Sequence, residues 1–303
     1  MKKSYIKFKS LLLRNIKLYF SDKTVFYVSL MAPLILLLLF VLFLKSVYYN
    51  SFVNSLPSGF VFANADVPDA FVAGWLISAI MSVTCVTVSL GAGIIAVQDK
   101  ITGAINDFNS SPVKKSMISF SYYLANFVSA SLIVFSVLGL GFIYIAFMGW
   151  YLSLYDVILI VLNTLILTLF GCGLSTIINS FIKSEGGITA VSALSSSVYG
   201  FICGAYMPLS QFGSTFSNIF GFNPGLYASI LFKNLFTRGI IKEMALIPAE
   251  VIKGIKDAFD LNFYFFGSNV SQNIMWIITS LAVIVLFGIV ILIANKDKLT
   301  KNR

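Results

Sequence analysis

Long stretches of this chain hold no charged side chain, and no other feature limits its fold as much. No Asp, Glu, Lys or Arg occurs in 24–44, 70–98, 116–155, 157–182, 186–232 or 261–295. Of the 303 residues only 11% are charged and 58% are hydrophobic, whereas a soluble domain carries about 25% charged residues. A water-facing surface of this size cannot be built from so few charges. The chain reads as a polytopic all-α membrane protein, because a helix satisfies its own backbone hydrogen bonds in hydrocarbon. Histidine is absent. That excludes a His general base, a Ser-His-Asp or Cys-His arrangement and a His-ligated metal within the chain. Cys85, Cys172 and Cys203 lie in apolar stretches without CxxC spacing and read as buried small side chains.

A spanning helix needs about 20 mostly apolar residues. Six transmembrane helices are expected, at 25–44, 71–97, 118–148, 157–182, 188–207 and 274–294. A further apolar stretch, 212–232, is broken by Gly213, Gly221, Asn223, Pro224 and Gly225. It reads as short, broken re-entrant helices, since freed backbone groups must meet protein or water. Of the 21 basic residues, 15 fall in the N-terminal segment, the loops after spans two and four, and the tail. The positive-inside rule puts these, and both termini, in the cytoplasm. The net charge of +9 thus reports topology in a cell membrane and not affinity for nucleic acid. A single transmembrane domain results. Residues 1–24 are an interfacial helix, and 25–207 hold five spans with a cytoplasmic loop at 98–117. Residues 208–273 are extracellular or re-entrant, 274–294 the last span and 295–303 a cytoplasmic tail.

Two amphipathic patterns flank the spans. Tyr5, Phe8, Leu12, Ile16, Tyr19 and Phe20 share one helical face, with Lys3, Lys7, Ser10, Arg14 and Lys17 largely opposite. This predicts a helix on the cytoplasmic interface, with its basic face near anionic headgroups. It is a membrane anchor, or it also borders a lateral entry for substrate. In 236–262, Ile240, Met244, Ile247, Val251, Ile255 and Phe259 recur at helical spacing, and Pro248 should divide the helix. That predicts an extracellular amphipathic helix capping the mouth or lying on the outer leaflet.

The spans carry no ionisable group for proton or sodium coupling. They are rich in small and hydroxyl residues instead. Gly200 and Gly204 form GxxxG, and Ser192 and Ser196 repeat that spacing one turn earlier. Small residues four apart let helices approach closely, either as ordinary packing or as a subunit interface that opens.

The loop after span two runs from Gly91 through Asp99, Lys100 and Gly103 to Asn106, Asp107, Ser111, Pro112, Lys114 and Lys115. With Gly200, Gly204, Pro208, Asn223 and Pro224 further on, it resembles the permeases of type-2 ATP-binding-cassette (ABC) exporters, most of all the drug-resistance branch. In that family an acidic residue ends span two, a Gly follows four residues on, and a small-Pro-basic element opens span three. The resemblance covers nearly the whole chain. It implies that 101–108 is a coupling helix to the ATPase, begun by Asp99 and Gly103 and ended by Pro112, with Lys100, Asn106 and Asp107 on it. It implies that Ser192, Ser196, Gly200, Gly204, Pro208, Asn223 and Pro224 line the gate, path and dimer interface.

The chain has no GxxxxGK[ST] phosphate loop, so ATP and Mg would bind a separate ABC ATPase subunit. The chain itself holds no cofactor and is not an enzyme. The expected function is the membrane subunit of an exporter, paired with a second permease copy or homologue. It would move an apolar or amphipathic substrate such as a drug, an antimicrobial peptide or a lipid-linked glycan. A peptide-binding sensor or immunity protein, or a secondary carrier or channel, are the alternatives.

Overall fold

The computed structural model describes residues 2–57, 60, 62, 64–245 and 247–299; the side chains of Ser192 and Ser196, among a few others, lie outside that description. The chain starts with α1 (Lys2–Ser21) and α2 (Lys23–Leu39). A π-helical turn at Phe40–Leu44 carries α2 without a break into α3 (Lys45–Asn54). The helix therefore runs ten residues past the expected end of the first span. α4 (Val67–Ala92) follows, then α5 (Ile95–Ile101), α6 (Ala104–Ser110), α7 (Lys115–Met148), α8 (Leu154–Phe181) and α9 (Glu185–Ile202). A 3-10 turn at Leu209–Phe212 leads to α10 (Gly213–Phe220), α11 (Pro224–Glu243) and α12 (Ala249–Ala258). A two-residue hairpin, β1 (Tyr264–Phe265) with β2 (Ser268–Asn269), precedes α13 (Gln272–Leu299). The expected tail from 295 is thus helical to Leu299, and 300–303 lie outside the described residues.

Among the described residues, five helical stretches are long and apolar enough to cross a membrane, at Ser29–Asn54, Val67–Ile101, Lys115–Met148, Leu154–Phe181 and Gln272–Ile293. The expected span at 188–207 corresponds to α9, whose 18 residues rise about 27 Å and stop at Ile202. One end of the bundle holds α1, the α5–α6 corner and the α8–α9 connection. The other holds the α3–α4 and α7–α8 connections and α12.

α4 is the central pillar, with 23 of its 26 residues buried. Three of its buried serines find partners within the helix itself. Ser78, Ser82 and Ser89 donate to carbonyls three or four residues earlier on the same helix, which hides each hydroxyl from apolar neighbours. α8 begins with a capping box: the Ser153 hydroxyl accepts from the Asp156 amide, and the Asp156 carboxylate accepts from the Ser153 amide.

The least expected element is α11. Sequence reading divides it between broken pieces ending at 232 and an outer helix starting at 236. The structure gives one continuous helix instead. Asn223 caps it by accepting from the Gly225 amide, and Pro224 occupies the first turn, where its missing N–H costs nothing. The helix starts halfway along α8, where Gly225 faces Phe170 and Tyr199. It reaches the far end of the bundle where Gly239 lies directly under the Tyr151 carbonyl. Thirteen of the fourteen residues from Gly225 to Arg238 are buried, all but Arg238. The other half of the 236–262 expectation holds in part. Pro248 does start a separate helix, α12, and its apolar face (Ile255, followed by Phe259) packs into an aromatic cluster with Tyr48, Phe52, Phe71 and Trp75. The Trp75 indole donates to the Phe259 carbonyl at 2.9 Å.

α4 and α11 cross where Gly74 meets Phe236. A Cβ on Gly74 would stand 2.9 Å from the Phe236 carbonyl oxygen, and backbone cannot step aside as a side-chain tip can. Gly139 on α7 has nothing within 4 Å. Gly74→Val should cost about 1–3 kcal/mol of overpacking and lower the melting temperature in detergent. Gly139→Val should leave that temperature within a degree or so of the original, apart from the small propensity change. A thermal-shift comparison of the two checks this.

Candidate functional site

At the α1 end, one carboxylate gathers four elements. Asp99 on α5 has a side chain only 7% exposed. Arg14 of α1 grips it with two nitrogens, at 2.5 and 2.8 Å. The Tyr122 hydroxyl of α7 donates to the same carboxylate at 2.5 Å. The Arg14 guanidinium also lies over the Phe108 ring of α6, 4.9 Å from its centre. A bidentate Arg–carboxylate pair fixes orientation as well as charge. The hydrogen bond to Asp99 raises the Arg14 pKa above its already high ordinary value, so the guanidinium stays charged at every pH the protein meets. Asn15 reaches Ser121 at 3.4 Å, and Lys7 donates to the Pro112 carbonyl at 3.0 Å. α1 is thus fastened to the loop, and its exposed Tyr5 is the one member of the expected apolar face that stays wholly outside.

This corrects the expected coupling helix. The expected helix over 101–108 starts later, after Gly103, as α6, and it forms an elbow with α5, whose last residue is Ile101. α5 ends at Ile101, and Gly103 sits at φ +81°, a left-handed conformation that favours glycine. α6 then starts at Ala104. Asp99 caps nothing; it is the buried anchor of α5. Lys100 does not face a partner outward either, since it donates to the Asn179 carbonyl (2.9 Å) and the Ser180 carbonyl (3.4 Å) at the end of α8, where a cation is favoured. Asn106 and Asp107 are exposed on α6, and Pro112 follows it as expected.

Of the expected gate residues, Gly200, Gly204 and Pro208 lie in one chain reversal and Asn223 and Pro224 open α11. α9 ends at Ile202, so Gly200 and Gly204 are not on one helix face. Gly204 stands at φ +64° in the turn that follows, and Gly200 is covered by the Tyr206 ring as the chain folds back. The pair makes a chain reversal. Gly204 offers its carbonyl to Lys233 of α11 at 2.8 Å, and Lys233 pairs with Asp260 at 2.9 Å. Asp260 also accepts from the amides of Leu209 and Ser210, directly after Pro208. Lys233 is fully buried and lies over the Trp75 ring. One buried ion pair therefore ties the α9 reversal, α11, α4 and the segment after α12. Nearby, Asp156 at the start of α8 pairs with Arg238 at 3.0 Å.

Sequence reasoning missed Arg14, Lys233 and Asp260. The sequence pattern places Arg14 near lipid headgroups, Lys233 in the extracellular or re-entrant segment, and Asp260 on the polar side of the outer helix. The available signal was that Lys233 continues the helix started by Asn223-Pro224 without a break.

Removing Arg14 should leave the Asp99 charge buried without its main partner. Arg14→Ala should destabilise the chain by about 1–3 kcal/mol, below the value for a fully buried pair because Arg14 is partly exposed. Asp99→Asn in the same background should recover part of that loss. A double-mutant cycle of melting temperatures in detergent should give coupling of at least about 1 kcal/mol.

Residues 6–236 match the family model described as ABC-2 type transporter. No curated protein and no solved structure matches the chain. The match spans well over half of a chain that forms a membrane-type helical bundle with a clamped elbow after its second span. The chain belongs to the ABC-2 type transporters, as a membrane component of an ABC-type transporter.

Proposed function

We propose that the chain is the permease subunit of an ATP-driven exporter. A separate ABC ATPase would dock on the α5–α6 elbow and hold the ATP and Mg. The single observation that supports this is the elbow itself. It is held to α1 and α7 by the Asp99 cluster while Asn106 and Asp107 face outward. A push on α6 would therefore move α1 and α5 together, in place of bending a loose loop. On this reading the α1 end is cytoplasmic, in agreement with the basic residues around it, and the protein sits in the cell membrane.

Substrate would be apolar or amphipathic, since the long apolar spans offer no charge to pair with it. A second permease copy or homologue would complete the path. Leu194, Val198 and Phe201 of α9 and Phe216 and Ile219 of α10 are exposed, and such a stripe suits a neighbouring helix. The Lys233–Asp260 pair would hold the outer reversal at Gly204 closed until the inner ends move. The apolar face of α12, Ile255 followed by Phe259, packs on the bundle, which favours this reading over a free peptide-binding arm.

The reading is tested on the exposed face of α6. Asn106→Arg with Asp107→Lys should leave melting temperature and membrane insertion unchanged. Losing the key contacts of an interface costs about 1–2 kcal/mol or more, which is about tenfold or more in affinity. Co-purification of the ATPase and substrate-stimulated ATP hydrolysis should fall accordingly. Wild-type hydrolysis and transport in that variant would contradict the docking site.

A further inference from the structure

Beneath the elbow, between α5, α7, α8 and α13, lies a cavity of about 400 Å³. One water needs only ~10–15 Å³ of such space. Its floor is polar. Asn126 of α7 lines it and is only 5% exposed, yet neither its side-chain oxygen nor its nitrogen has a hydrogen-bond partner. Leaving a buried amide unpaired costs about 1–3 kcal/mol, so a group that both donates and accepts is called for. Gly93 keeps the floor open. A Cβ there would collide with Ser175 and crowd the amides of Asn179 and Asn126. Asn179 is already engaged, donating to the Gly93 carbonyl at 3.0 Å.

The walls and rim differ from the floor. Ile118, Ile182, Val290 and Ile293 make an apolar wall. Lys100 and Lys183 supply positive charge, and no carboxylate lines the space among the described residues. Asp99 is held by Arg14 and Tyr122. Beside the wall, Ile291 and Leu292 of α13 face outward, towards lipid in a membrane protein of this family. Anionic head, hydroxyl or ester group and apolar chain are therefore matched in one cavity at the end of the bundle where basic residues concentrate.

We propose that this cavity binds an anionic phospholipid, with its phosphate near Lys100 and Lys183. A glycerol hydroxyl or ester group would meet the Asn126 amide, and an acyl chain would run along Val290 and Ile293. The site lies apart from the α9–α11 reversal and does not depend on transport direction or cargo.

The test uses the full chain in neutral detergent, titrated with phosphatidylglycerol, phosphatidylcholine or inorganic phosphate. Bound lipid is read by native mass spectrometry and stabilisation by thermal shift. Phosphatidylglycerol should bind and raise the melting temperature, and the other two should bind at least about tenfold more weakly, since a charge-assisted hydrogen bond is worth that much. Asn126→Leu, of similar size, should fold with a lipid-free melting temperature equal to or above the original and lose binding about tenfold. Lys183→Glu should lose it to a similar degree. Equal binding of phosphatidylcholine or of free phosphate would overturn the proposal. Undiminished phosphatidylglycerol binding by a folded Asn126→Leu protein would do the same. If that variant does not fold, Lys183→Glu decides, and wild-type affinity there overturns the proposal.

Discussion

A carboxylate shut away from water must have a partner, and the α1 end of this protein is organised around that need. Asp99 is held at once by α1 through Arg14 and by α7 through Tyr122, while Arg14 also covers Phe108 on α6. Each contact joins a segment that would otherwise be a loose surface piece to the bundle. The far end follows the same rule with the signs reversed. There the fully buried cation is Lys233, and Asp260 approaches from a segment 27 residues later to meet it. A buried ion pair is weak evidence for net stability, but removing one partner is costly. Such pairs therefore fix arrangement more than they add to the total.

α4 runs between the two ends. Its first turns carry Trp75, which lies against Lys233 and Phe259. Its last residue leads through Gly93 into α5 and Asp99. Small residues let other helices lie close along its length, α11 at Gly74 and α8 at Gly171, where Ser89 and the Cys85 carbonyl leave no room for a Cβ. A displaced elbow has a rigid, tightly packed helix behind it and little slack in which to dissipate.

Features set by local pattern were legible in the sequence. The face of α1 follows from a 3.6-residue period, the long spans from apolar length, and the break before α12 from Pro248. Features set by distant partners were not. Asp99 stood out, but its partner Arg14 is 85 positions away, and no spacing rule joins them. Lys233 falls in the outer, re-entrant segment by pattern, and its charge is met by Asp260, 27 residues later. Gly200 and Gly204 show the limit of a spacing motif. Four residues apart suits a helix face, yet the helix stops between them and Gly204 turns left-handed. Asn126 was hidden for a different reason. A single amide in an apolar run has no pattern, and its significance lies in the cavity it faces.

The central claim is that α1 and the elbow move as one body clamped by Arg14 and Asp99. Ser10 on α1 and Ser110 on α6 are exposed, and Cys85, Cys172 and Cys203 are all buried. Cysteines introduced at the two serines can therefore be spin-labelled selectively. In the complex with its ATPase, the Ser10–Ser110 label distance should keep one narrow distribution with and without ATP, and should broaden in the Arg14→Ala protein. A shift of several ångströms on ATP binding in the unaltered clamp would contradict the account.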